Sequence, residues 1–273
     1  MVNNFVIDHV LRGIMTKKDG EYMWSINQIS NPSLNVSLSD TAQAVDALGT
    51  PIVEFDRGRS AEFSAENSIF DLSLYAAQMG RNVEVAGEEV EGKKTVVEVP
   101  VFEEFEVDGA TYVTKKTPIN NNTDKTLPAI KRIYKVNKDG TLGTMYVVGS
   151  AASDLEFAYE NDTHTITLPT NLENGTLMFV MYEYEAEENA TAVTADAINF
   201  PKAGVFTMEV LGTSVCDPDT LIHAYVKFPN AKLDGNVDYT FATDGTHPFT
   251  IKAMQEYCDR EKKLFSIIIP DEE

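Results

Sequence analysis

The side chains best suited to acid–base or metal chemistry are four histidines, His9, His164, His223 and His247, and none has the company such chemistry needs. None has a second His at i+2 or i+4, and none accompanies a Ser or Cys in a nucleophile turn. His223, in LIHAYV, alternates with apolar neighbours and reads as a structural residue facing solvent. His247, just before Pro248 in THPF, reads as a turn residue that satisfies local backbone groups. Cys216 in TSVCDPDT and Cys258 in EYCDREKK lack a second Cys or a His at ligand spacing. A disulfide between them stays open, and a zinc site is not expected.

Carboxylates are abundant, which weakens any single pair. FEEFEVDG and YEYEAEEN supply acids of the kind glycoside chemistry sets across a cleft. In period-2 strands, however, Glu103 and Glu106, or Glu183 and Glu185, alternate with aromatics and are expected to face water. Asp217 and Asp219 in CDPDT offer a weak calcium pair at most, and no EF-hand spacing, phosphate loop or dinucleotide fingerprint occurs. These residues assign no catalytic group, metal ligand or cofactor, and the chain reads as a non-enzyme.

The 273 residues, 43% hydrophobic, suffice for one large or two ordinary folded domains. A formal net charge of -21 argues against a nucleic-acid binder, because neutralising phosphates takes clustered Lys and Arg. The same charge suits a surface that nucleic acid passes without sticking, beside its ordinary role in solubility. The N-terminal residues show no basic-then-apolar leader, and no run reaches membrane-spanning length, so no membrane association is expected. Two cysteines are too few for a disulfide-stapled secreted scaffold.

Strands carry most of these residues. EYMWSINQIS, SLNVSLSD, PIVEFDRG, TVVEVPVFEEFEV, TLMFVMYEYEA, GVFTMEVLG and LIHAYVKFP alternate apolar and polar residues and are rich in β-branched and aromatic types. So many short strands predict a mainly β protein of sandwich or barrel form. A single helix is expected in SAENSIFDLSLYAAQMG, with Ile69, Leu72, Ala76 and Met79 on its apolar face and a stop at Gly80. The polar stretch TPINNNTDKTLP, residues 117–128, and the acidic run EAEENATAVTADA read as boundaries. Between them a block with turns at Lys138-Asp139-Gly140 and Asn174-Gly175 has the strand spacing of a small immunoglobulin-like sandwich. The expected layout is a β domain built from 1–120 and 187–273, interrupted by an inserted domain at 125–186.

Residues 39–67 stand apart, since their first half is small and polar without a firm hydrophobic period. An ordinary exposed hairpin is one reading. In an oligomer the segment would instead extend over a neighbouring subunit, with Arg57 and Arg59 free to pair with the abundant acids. At the other end, DREKK reads as a turn joining FTIKAMQEYC to LFSIIIP in a closing hairpin, with Phe249, Ile251 and Ala253 on one face and the acidic tail free to touch a neighbour. The candidate subunit-interface residues are therefore Asp46, Leu48, Arg57, Arg59, Asp271 and Glu272.

Taken in order, DTAQAVDALGTPIVEFDRGRSAEFSAENSIFDLSLYAAQMG resembles the loop, hairpin and helix of tailed-bacteriophage tail tube proteins from phages of Gram-positive hosts. The closing FPKAGVFTMEVLG…CDPDTLIHAYVKFPNAKLDGNVDYTFATDGTHPFTIKAMQEYCDREKKLFSIIIP is similar to their C-terminal strands. The resemblance covers about two thirds of the chain and implies a tube-like β-sandwich or barrel with a flanking helix. It further implies a self-assembling virion protein whose homo-oligomeric rings, commonly hexameric, stack into a tube for DNA ejection, assembled in the host cytoplasm. Other tail proteins (sheath, tape measure, baseplate, tail terminator) would be its further partners, and DNA would pass without specific binding. Such proteins usually carry an extra domain at the C-terminus, so the insertion departs from the pattern. A head decoration or fibre protein and, from a different class, a carbohydrate-binding or hydrolysing β-sandwich remain alternatives. The last would show exposed aromatics on one sheet face beside acids.

Overall fold

A computed structural model describes residues 5–215, 219–256 and 262–270. The chain divides into two compact units, Met1–Val83 with Val193–Glu273, and Glu84–Ala192. The first unit opens with β1 (Phe5–Thr16), β2 (Tyr22–Ile26), β3 (Ile29–Val45), β4 (Pro51–Asn67) and α1 (Leu72–Gln78). The second contains the short β5 (Glu84–Val85), β6 (Glu89–Val90) and β7 (Lys93–Lys94), then β8 (Val97–Glu106), β9 (Thr111–Val113), β10 (Arg132–Val136) and β11 (Leu142–Val148). It ends with β12 (Glu156–Glu160), β13 (Thr165–Thr167), β14 (Leu177–Ala186) and β15 (Thr191–Ala192). The first unit is completed by β16 (Ala203–Ser214), β17 (Leu221–Leu233), β18 (His247–Ala253) and β19 (Ser266–Ile268). The protein is thus mainly β with one helix among the described residues, as the strand patterns predict.

The first unit is built on one sheet in the order β2-β1-β16-β17-β18-β4-β3, with β19 attached to β17. Alternation makes its core: Phe206, Met208 and Val210 of β16 and Ile222, Ala224, Val226 and Phe228 of β17 are buried at every second position. Phe63 of β4 lies 6.0 Å from Phe206 of β16, although three strand intervals separate them along the hydrogen-bonded order. Flat spacing would put those strands about 14 Å apart. The sheet therefore curls, and Trp24, Phe63, Phe206, Phe228 and Phe249 fill its concave side.

The helix plugs into the same core through Leu74. Its start is fixed by Asp71, whose Oδ1 accepts from the backbone of Ser73 and Leu74 at 2.8 and 3.0 Å. Its end is fixed by Gly80, at φ +69, with Arg81 N bonded to Ala76 O at 2.8 Å and Gly80 N to Ala77 O at 3.1 Å. This helix is shorter than the periodicity suggested, and its buried residues are Leu74, Ala76 and Gln78. Ile69, assigned to the apolar face, precedes the helix and is exposed.

The closing strands do not form a hairpin. β18 pairs with β17 at Ala231–Leu233 and with β4, whereas β19 pairs with β17 at Tyr225–Lys227. β16 occupies one edge of the 13-residue β17, and β18 and β19 share the other edge one after the other. Phe249 and Ile251 do face the core, and His247 joins them there as the first residue of β18, fully buried, rather than serving a turn.

In the second unit seven strands run in the order β8-β14-β10-β11-β12-β13-β9. The path folds over on itself, so that Tyr112 of β9 stacks on Phe105 of β8 with ring centroids 3.7 Å apart. Phe105, Ile133, Tyr146, Phe157, Ile166, Met178 and Val180 form the core between. The unit starts at Glu84, before the 125 expected from sequence, because β5 pairs with β15 at Glu84↔Ala192 and β8 pairs with β14 from Val97↔Ala186 to Glu106↔Leu177. Residues 117–128 accordingly lie within this unit.

Candidate functional site

β3 and β4 are 17 residues each, and only their root lies on the core. Phe63, Ala61 and Ala65 are buried, while Val36, Leu38, Val45, Leu48, Ile52, Val53 and Phe55 are all exposed. From Val36 to Val45 the hairpin reaches about 30 Å at ~3.3 Å per residue. It is a two-stranded arm.

The arm has two chemically distinct faces. Residues directly opposite one another share a face, and Leu34↔Phe63, Val36↔Ala61, Ala42↔Phe55 and Ala44↔Val53 are such pairs. The ladder is irregular between Leu38 and Thr41, but Leu38↔Arg59 and Ala42↔Phe55 have the same offset, so alternation resumes in phase. The opposite face is polar: Asn35↔Glu62, Ser37↔Ser60, Thr41↔Asp56 and Gln43↔Glu54. Ser37 and Ser60 hydroxyls are 2.9 Å apart, and Gln43 Nε2 donates to Glu54 Oε2 at 3.1 Å. The polar face is bonded to itself, and the other face, apolar apart from Arg59 opposite Leu38, is left open.

The interface residues expected from sequence take different parts in this arm. Asp46 closes the tip, its Oδ1 accepting from Leu48 N at 2.8 Å and Thr50 N at 2.9 Å, while Gly49 at φ +84 completes a three-residue turn. Leu48, at the apex, is 91% exposed. Arg57 and Arg59 lie on β4 at the irregular part of the ladder, exposed and without an ion pair among the described residues. Asp271 and Glu272 lie outside the described residues, as do Cys216, Asp217 and Cys258. Val36, Leu38, Ala42, Val53 and Phe55 were not among the expected interface residues. For Val36, Leu38, Val53 and Phe55 the signal was the alternation within SLNVSLSD and PIVEFDRG, which marks strands but not whether the apolar side is covered; Ala42, between those runs, carried none.

Elsewhere the chemistry-bearing side chains are spent on structure. His223 Nδ1 lies 3.1 Å from Glu209 Oε1, and Arg12 Nε donates to Glu209 Oε2 at 2.6 Å. Burial pushes the Glu209 carboxyl up, but these two bonds outweigh it and the net shift is downward. Glu103 does not face water: it is 3% exposed, on the inner side of β8 with Phe105. Tyr112 donates to its Oε1 at 2.5 Å and Tyr182 to its Oε2 at 2.7 Å. Burial, then the carboxylate, pushes both phenols well above their ordinary range. Glu106, Glu183 and Glu185 are exposed as expected. No group of three potential metal ligands occurs among the described residues.

A family model described as the YomU/Tube protein family matches residues 5–267. The chain belongs to this family. The match spans both units and agrees with the tail-tube resemblance of the arm, helix and closing strands. No curated protein matches the chain. Membership of the YomU/Tube family identifies a phage tube-type structural protein and places it among virion tail components. Among the described residues no helix is long and apolar enough to cross a membrane.

Proposed function

We propose that this chain is the subunit of a bacteriophage tail tube, and that the arm is the device by which one copy grips the next. Copies join into rings, the rings stack, and the stack encloses the channel through which DNA leaves during ejection. The observation that carries this reading is the open apolar face of the arm. A projecting ribbon with Leu38, Val53 and Phe55 in water loses solvation free energy until something covers it, and a second copy is always at hand. Two further features support it. β3 and β2 end the sheet, and open strand edges are ready to pair with another chain. The net charge of -21 repels phosphates, so a wall of such subunits lets DNA slide rather than stick. In this reading the protein sits in the virion tail after assembly in the host cytoplasm. It meets sheath, tape measure, baseplate and terminator proteins there and needs no enzymatic activity.

Shortening the arm tests the reading. Thr41 and Asp56 are directly opposite, so residues 42–55 can be replaced by a two-residue Asn-Gly turn without changing the register of the root. The shortened protein is expected to keep the far-UV circular dichroism and melting temperature of the full chain while losing polymers in sedimentation velocity. Polymers of unchanged size would count against the arm's role.

A further inference from the structure

The second unit carries a groove of about 320 Å³ that the tube reading does not use. It lies on the side of the sheet away from the core. Ile133 and Val180 point inward, and the alternating Arg132, Tyr134 and Met181 line the groove on the opposite side. Met181 is 59% exposed, and Phe102, directly opposite it on β8, is 70% exposed. These side chains, with Pro100, make an apolar floor continuing into an open aromatic surface. Phe102 and Phe179 stack at 6.1 Å with planes 21° apart.

Around that floor stand polar groups of mixed character: the Asn121 amide, the Lys131 ammonium, the Arg132 guanidinium, the Tyr134 hydroxyl and the Glu183 carboxylate. Among the described residues none of these side chains has a hydrogen-bonding or ionic partner. The wall that carries Asn121 is held firmly by its neighbours. Asn122 Nδ2 donates to Pro128 O at 2.9 Å, Asn120 Nδ2 to Leu127 O at 2.8 Å, and Asn161 Nδ2 to Leu127 O at 3.0 Å. Ala129 N in turn donates to Asn161 Oδ1 at 3.0 Å. Three asparagines thus hold this loop in place while a fourth is left facing the groove. A preformed wall reduces the ordering cost of binding a ligand.

We propose that this groove binds a saccharide, one ring of a polysaccharide seated over Met181 and Tyr134 with the next ring against Phe102. The chemistry of the lining favours this class. A pyranose presents an apolar C–H face and a rim of hydroxyls that both donate and accept. The groove offers the converse: an apolar floor of one-ring size ringed by both donors and acceptors. A purely cationic ligand would meet Lys131 and Arg132, and a purely anionic one Glu183. The inference does not depend on ring assembly, since every residue it uses belongs to the second unit.

Saturation-transfer difference NMR on the full chain tests it, using glucose, galactose, N-acetylglucosamine and glucuronic acid oligosaccharides as probes, with Met181 methyl labelling to report the site. At least one probe is expected to bind saturably, tighter than about 10 mM, and to shift the Met181 methyl signal. Arg132→Ala and Glu183→Ala, both at exposed positions, are each expected to weaken it about tenfold with no change in melting temperature. Absence of binding across the whole panel overturns the proposal. So does binding that the two substitutions leave unchanged. Self-association lost in Met181→Asp, with no saccharide bound by the parent, also overturns it and would assign this face to a second copy of the chain.

Discussion

Phe55 stands directly opposite Ala42 on the arm, and 55% of its surface is open to water. The same ribbon bonds Ser37 to Ser60 and Gln43 to Glu54 on its other side, so polarity is satisfied internally and apolar surface is what the arm presents. Replacing Phe55 by Asp is therefore expected to weaken polymerisation by at least about 2 kcal/mol per contact, the scale of an interface anchor, or roughly thirtyfold. Gln43→Lys, on the polar face, is the control and should assemble normally. Sedimentation velocity over a concentration series distinguishes the two, and equal polymerisation of both variants would mean that the arm's apolar face takes no part in assembly.

Glu103 is the buried acid that holds β8 to β9 and β14 through Tyr112 and Tyr182. Removing a partner leaves a buried polar group unmatched, so Glu103→Gln and Tyr182→Phe should each destabilise the second unit by about 1–3 kcal/mol. Their double variant should lose less than the sum, because both cut the same bond. Calorimetry is the appropriate measurement, since two units need not melt together. The loss is expected only in the transition of the second unit.

His247 gives the first unit a pH dependence. Its Nε2 lies 2.7 Å from Gln78 Oε1, its ring stacks on Phe70 at 5.2 Å, and its Nδ1 is buried with no partner. Burial holds its pKa below the ordinary histidine value, against an opposing pull from Asp71. The folded protein thus binds this proton less readily than the unfolded chain does. Stability is full above the ordinary value of about 6.5 and is lost as pH falls below it. The melting temperature should drop more between pH 7.5 and 5.5 for the parent than for His247→Gln. Parallel curves would mean that His247 does not control this step.

Gly80 ends α1 at a point of close approach. A Cβ there would stand 2.3 Å from the Phe200 backbone, and φ is +69. Backbone cannot move aside as a side chain tip can, so Gly80→Ala should cost more than the ~1 kcal/mol of an unobstructed left-handed position. Thermal melting reads it directly, and a neutral outcome would mean that the helix end is looser than described.

Local rules were legible in the sequence and long-range pairings were not. Lys138-Asp139-Gly140 was readable as a turn, and the same backbone pattern closes Lys17–Glu21, Asp46–Thr50 and Asn137–Thr141, with Gly20, Gly49 and Gly140 each at positive φ. Alternation likewise located β16, β17 and the core side of β18. Alternation names two faces without saying which is wet. Glu103 shares a face with Phe105, and the hydroxyls that hold it sit 9 and 79 residues away, so its burial had no local mark. His247 is tied to Gln78 across 169 residues for the same reason. The closing hairpin failed because β17 has a long free edge, and two short strands found it better than each other. In the arm, SLNVSLSD and PIVEFDRG were legible as strands and a hairpin was one reading of the segment, but the continuation of β3 to Val45 and the uncovered apolar side emerge only from the fold.

Electron cryomicroscopy of the purified full chain at high concentration would show whether copies build a tube through the arm. Stacked rings with a central hole are expected, with the arm of each subunit seated so that Phe55 and Val53 lie against a neighbouring copy, and with Asp and Glu outnumbering Lys and Arg on the lining. Monodisperse monomers, or rings whose arms point into solvent and whose lining is basic, would contradict that expectation.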